Sequence, residues 1–149
     1  YHLRKCIVMV LYGYLAWEGV IEIVKGIERI TLFSQNASKL AQFYQQKVGL
    51  KVTFEAVMGE NDEELYMFEM PKGSAFYIVD HSNVKGKTKT PERTIINFEV
   101  GNIKEDVKRL EKAGVKKIQD IYHVEDYGYI ATFEDIDGNY FQLVQTKAN

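Results

Sequence analysis

The sequence predicts an α+β fold in which two βαβββ modules form a concave half-barrel. Three observations carry this expectation. The order strand, helix, three strands is written twice along the 149 residues. One constant shift superposes the two copies. In each copy the apolar period changes from two to that of a helix after the first strand.

The first module covers residues 26–81. Ile27–Phe33 alternates apolar and polar side chains, as a half-buried strand does. Ser34-Gln35-Asn36 then offers capping oxygens to the free amides of a first helical turn. Leu40, Phe43, Tyr44 and Val48 recur at helical spacing, and Gly49 stands where a left-handed terminating residue is wanted. Strands are expected at Lys51–Val57, Glu64–Glu69 and Ser74–Val79, divided by the turn-prone segments Gly59–Asp62 and Pro71–Gly73.

The second module covers residues 93–149 and repeats the scheme. Thr94–Val100 alternates, and Asn102 with Glu105 has capping-box spacing. Val107, Leu110 and Ala113 form an apolar stripe that Gly114 ends, and strands are expected at Lys117–Ile121, Gly128–Phe133 and Tyr140–Gln145. The shift that places Ile30 on Ile96 also places Asn36 on Asn102, Ala41 on Val107 and Tyr44 on Leu110. Two copies imply a pseudo-twofold pair of modules, whereas a solenoid needs more. Residues 82–92, rich in Lys and Thr, read as the linker.

Residues 1–25 stand apart as an apolar N-terminal extension. The run Cys6–Trp17 is too short to cross a hydrocarbon layer of about 30 Å. It reads as an added element packed on the domain or on a dimer mate, with a targeting or membrane-surface segment as the alternative. No membrane partner is expected for the body of the chain.

Composition narrows the function. A net charge of −2, from 19 basic and 21 acidic residues, lacks the basic surplus of a nucleic-acid binder, so no nucleic acid is expected. A single cysteine, Cys6, allows no internal disulfide and points to a reducing, cytoplasmic setting. No phosphate-cradling glycine loop, zinc-protease motif or nucleophile elbow occurs. Function must therefore be sought in the lining of the hollow between the modules, since such concavities make ligand pockets.

Two segments carry a specific resemblance. Residues 27–52 read I-E-R-I-T-L-F-S-Q-N-A-S-K-L-A-Q-F-Y-Q-Q-K-V-G-L-K-V, and residues 131–145 read A-T-F-E-D-I-D-G-N-Y-F-Q-L-V-Q. The first resembles the opening strand and helix of the vicinal-oxygen-chelate superfamily, with Phe43-Tyr44 and Gly49-Leu50 as its helix ending. The second is similar to that superfamily's closing hairpin, A-x-F-x-D-P-D-G-N-x-x-E-L. The group includes glyoxalase I, extradiol dioxygenases, and the fosfomycin- and bleomycin-resistance proteins. The resemblance spans residues 27–146 and implies the glyoxalase/bleomycin-resistance fold.

The resemblance also implies where a divalent metal would be held, and there this chain departs from the pattern. The four positions fall at Arg29, Tyr77, Ile95 and Gln142. Arg29 has no lone pair and would repel a cation by about 4 kcal/mol at roughly 4 Å and an effective dielectric near 20. Ile95 has no donor atom, Gln142 offers only a neutral amide, and Tyr77 would have to give up its proton. Neither metal nor cofactor is expected, which places the chain with the metal-free branch.

The expected ligand is a small organic molecule, anionic or aromatic. Arg29 offers a planar fork of donors, and Gln142 both donates and accepts. Tyr66, Phe68, Tyr77, Tyr129 and Phe133 supply candidate aromatic walls, with Ile95 and Asn97 beside them. Plainer readings stand next to these. Arg29 pairs with Glu69 or Glu99, the rings are core, and the Lys85, Lys87, Lys89 and Arg93 cluster is a solvated loop. The Asp135–Asn139 segment forms a turn with Gly138 at positive φ.

Two functional classes follow. One is a non-catalytic, resistance-type protein that sequesters a small molecule as a homodimer, swapped or unswapped. The other is a lyase, isomerase or dioxygenase of the same superfamily, working with an altered metal set or without metal and with His123 or a glutamate as base.

Overall fold

Each module closes its own four-stranded mixed sheet. The computed structural model describes residues 24–147, so nearly all of the apolar extension lies outside the described residues, including Cys6. Module one comprises β1 (Arg29–Ser34), α1 (Ala37–Phe43), β2 (Val52–Met58), β3 (Glu63–Phe68) and β4 (Ala75–Asp80). Module two comprises β5 (Ile96–Glu99), α2 (Ile103–Lys112), β6 (Lys116–Val124), β7 (Gly128–Glu134) and β8 (Tyr140–Thr146). The strand orders are β1-β4-β3-β2 and β5-β8-β7-β6. In both sheets the first and last strands run parallel and the other pairs antiparallel.

The helix signals act as expected. The Asn36 side chain accepts from the Lys39 amide and the Asn102 side chain from the Glu105 amide. Gly49 ends the first helical segment at φ 93°, after a wide π-type turn over Tyr44–Val48. In that turn the Gly49 and Leu50 amides both bond the Tyr44 carbonyl. β6 runs longer than its alternation predicts, because bulges near Gln119 break the period without ending the pairing with β7.

The modules meet through their helix-covered faces. Tyr44, Phe76, Phe98 and Phe141 pack ring against ring, with centroids 5.3–6.1 Å apart, in one core shared by both halves. Among the described residues no strand of one sheet pairs with a strand of the other. The half-barrel is therefore not closed by backbone pairing between the modules among the described residues. The sheets' other faces turn away from the shared core.

One buried carboxylate ties this junction. Asp135 is 3% exposed, and its Oδ2 accepts from the Tyr44 hydroxyl of the opposite module at 2.8 Å. The amides of Asp137 and Asn139 and the Asn139 side chain fill its remaining acceptor sites. Ser34 donates to Asp137 across the same junction at 2.6 Å. Gly138, at φ 79°, lets the turn close as expected. What local sequence reading sees as a hairpin turn is thus also an intermodule clamp.

Burial raises the Asp135 pKa above its ordinary value, although its hydrogen bonds oppose the shift. The folded chain therefore holds this proton more tightly than the unfolded chain. Asp135 favours folding most at low pH, and that contribution is lost as pH rises through its folded pKa. Replacing Tyr44 with Phe removes a donor that favours the charged form. We expect Tyr44→Phe to lose about 1–3 kcal/mol in denaturant unfolding, with a larger loss at pH 7 than at pH 3.

Candidate functional site

Successive side chains on a strand point to opposite faces, and cross-strand partners share a face. Phe68, Phe76 and Ile78 are buried in the core beneath α1. The register then puts Arg29, Thr31, Phe33, Met67 and Tyr77 on the opposite, open face of sheet one. A bulge in β2 between Val52 and Phe54 adds Phe54 to that face, 54% exposed. In sheet two Phe141, Leu143 and Phe133 are core. Asn97, Gln142, Thr132 and Gln119 accordingly share the open face.

The structure sorts the sequence candidates cleanly. Arg29 and Tyr77 lie on the open face of sheet one, with the guanidinium 4.8 Å from the Tyr77 ring centroid. That is cation–π distance. The Tyr77 hydroxyl donates to the Met67 sulfur at 2.9 Å. Asn97 and Gln142 are direct register partners on sheet two. Ile95 joins Gln119, Tyr122, Thr132 and Tyr140 around a pocket of about 400 Å³ there.

Five candidates fall elsewhere, Phe133 among them, fully buried in the core of sheet two. Phe68 is fully buried among core rings, and Tyr66 packs against the same core with its hydroxyl donating to Glu64. Both sit one residue out of phase with the open face. Tyr129 and His123 are register partners on the Ala131 and Phe133 side of sheet two, their rings 4.9 Å apart. His123 is thus remote from Arg29 in face and in sheet, and no base is brought to the open faces by it. Arg29 pairs with its neighbour Glu28, rather than with Glu69 or Glu99. Glu99 lies near Lys72 and accepts from Thr146.

Thr31, Phe54, Met67, Gln119, Tyr122 and Thr132 escaped the sequence reading. The signal for Met67 and Thr132 was simple alternation within β3 and β7, once Phe68 and Phe133 are recognised as core. Bulges in β2 and β6 removed that signal for Phe54, Gln119 and Tyr122.

The four metal-ligand positions implied by the fold family do not fit a metal. The Arg29 guanidinium occupies one of them as a fixed cation, and its hydrogen bond to Glu28 raises its pKa further. Gln142 uses its Nε2 to donate to Thr132 Oγ1 at 2.9 Å, and Ile95 has nothing to coordinate with. Among the described residues no three His, Cys, Asp or Glu side chains gather into a metal-binding group.

A larger groove, about 690 Å³, runs between β1 and β5 and is lined by Ile30, Met70, Phe76, Ile96, Phe98 and Asn97 among others. Its walls are chiefly the flanks of core side chains. Its guanidinium, Arg109, is engaged by the Lys47 and Val48 carbonyls and by Asp106. The groove is a seam of the module junction, and Lys72, Ser74, Asn97 and Glu99 also line it.

Comparison with known proteins agrees with this architecture. Residues 26–143 match the glyoxalase/bleomycin resistance protein/dioxygenase superfamily. The chain is 26% identical over 120 residues to the uncharacterized protein YetH of Bacillus subtilis (strain 168), covering 80% of this chain and 98% of that one. The fosfomycin resistance protein FosX of Listeria monocytogenes superposes with a TM-score of 0.66 at 19% identity, covering 84% of this chain and 96% of FosX. TnmS3, an antibiotic binding protein from Streptomyces sp. CB03234, superposes with a TM-score of 0.64 at 20% identity, covering 85% of this chain and 100% of TnmS3. Among the described residues no helix is long and apolar enough to cross a membrane. With its paired βαβββ sheets and a family match over most of its length, the chain belongs to the glyoxalase/bleomycin resistance protein/dioxygenase superfamily.

Proposed function

We propose that this protein binds a small planar organic anion without a metal, in a hollow completed by a second copy of the chain. The observation that carries the reading is the Arg29 guanidinium over the Tyr77 ring, at a position where the fold family would place a metal ligand. A guanidinium held this way presents its outer N–H groups to a carboxylate or phosphate-like oxygen. Phe33, Phe54 and Tyr77 offer the ring surfaces on which a flat molecule stacks. TnmS3, an antibiotic binding protein of the same fold, is in keeping with this reading. Sequestration, rather than turnover, is supported by the position of His123 on the far face of sheet two. The lone cysteine is in keeping with a cytoplasmic setting.

The dimer follows from exposed surface. Phe33, Phe54, Met58 and Ile95 are 39–54% exposed on or beside the open faces. The edges of β1 and β5 are unpaired among the described residues. Apolar surface of this kind marks a site of association. We expect sedimentation to give twice the chain mass at micromolar concentration, and a monomer to refute the shared hollow.

Two further measurements test the ligand reading. Manganese, nickel, zinc or iron(II) added to protein purified without chelator should leave the melting temperature unchanged. One equivalent of tightly bound metal per chain would overturn it. Naphthalene-1-carboxylate should bind the protein, and Arg29→Met should weaken that binding about tenfold, the worth of one charge-assisted hydrogen bond.

A further inference from the structure

The two open faces are related by the internal repeat, yet their chemistry is opposite. The middle row of sheet one, read across the strands, is Thr31–Tyr77–Met67–Phe54. The repeat-equivalent row of sheet two is Asn97–Gln142–Thr132–Gln119. One row is mainly sulfur and aromatic carbon. The other is a continuous ribbon of uncharged donors and acceptors.

This ribbon is set in an apolar frame. Val144, Ile130 and Tyr122 run along one side of it, in register, and Ile95 and Tyr140 lie on the other. Thr132 is 5% exposed, so its hydroxyl is screened from bulk water. Gln142 gives Thr132 one hydrogen, which leaves its carbonyl oxygen and second N–H without a partner among the described residues. The Asn97 and Gln119 side chains make no hydrogen bond among the described residues. Two carboxylates flank the ribbon on these strands: Glu134, paired with Lys116 and Lys87, and Glu99, in register with Val144 and near Lys72. No cation stands in the ribbon to hold an anionic group.

A row that both donates and accepts, without charge, complements a ligand edge that does the same. We propose that the open face of sheet two recognises a neutral, adjacent N–H and C=O edge, as in a lactam, of the planar anion that stacks on sheet one. The inference rests on the reading above that a second copy of the chain completes the hollow, and it adds the open face of sheet two to the lining. It makes Gln142 and Thr132 specificity-determining, because an analogue without the edge leaves their polar groups unpaired.

The test compares two probes on the full chain. One is naphthalene-1-carboxylate. The other is 2-quinolone-4-carboxylate, a two-ring carboxylate of similar size that carries a lactam edge. Calorimetric titration should show the quinolone binding about tenfold more tightly. Gln142→Leu should erase that preference, bringing the quinolone and naphthoate affinities within about twofold of each other. Thr132→Val, nearly isosteric, should reduce the preference as well and serves if the first variant does not fold. Equal affinity of the native protein for both probes would overturn the ribbon's role, as would a preference that survives both substitutions. Either result leaves Arg29-dependent naphthoate binding standing. Failure of both probes to bind would overturn this inference together with the reading it rests on.

Discussion

A pleated strand has two faces, and here the helices and the shared core take one face of each sheet. Once Phe68, Phe76, Phe98, Phe133 and Phe141 are committed to the shared core, the alternate residues have nowhere to go but the open side. Arg29, Tyr77, Asn97 and Gln142 are presented outward for that reason alone. The core positions the site by exclusion, and no loop conformation is needed to aim it.

The Tyr44–Asp135 contact shows how firmly the two halves are held in this arrangement. A buried carboxylate is costly unless its oxygens are filled by donors, and here the donors come from both modules. Separating the modules would leave that carboxylate short of one donor. The same turn receives Ser34 from module one, so the closing hairpin of the chain and its opening strand are fastened together.

Duplication of a module gives two equivalent sheets, but equivalence of backbone does not fix equivalence of surface. Side chains facing the core are constrained by packing, and both sheets carry large apolar residues there. Those on the open faces are free of that constraint. Sheet one has kept a cation and rings, and sheet two a row of amides and a hydroxyl. Superfamily membership therefore supplies the frame, while the open faces carry residues the frame does not dictate.

Much of this was legible in the sequence. The repeat, the caps at Asn36 and Asn102, the terminating Gly49 and Gly114, and the turn at Gly138 each depend on a few neighbouring residues. So did the failure of Arg29 and Ile95 as metal ligands, which follows from their atoms alone. Phase within a strand was a different matter. Tyr66, Phe68 and Tyr129 are as aromatic as Tyr77, and only the register shows that they lie on the helix-covered face. Bulges in β2 and β6 shift that phase without a local signature, which is how Phe54 and Gln119 reach the open faces unannounced. Sequence alone determined which chemistry was present, because that resides in individual side chains. The tertiary structure decided which of those side chains share a surface, because that depends on pairing between strands far apart in the chain.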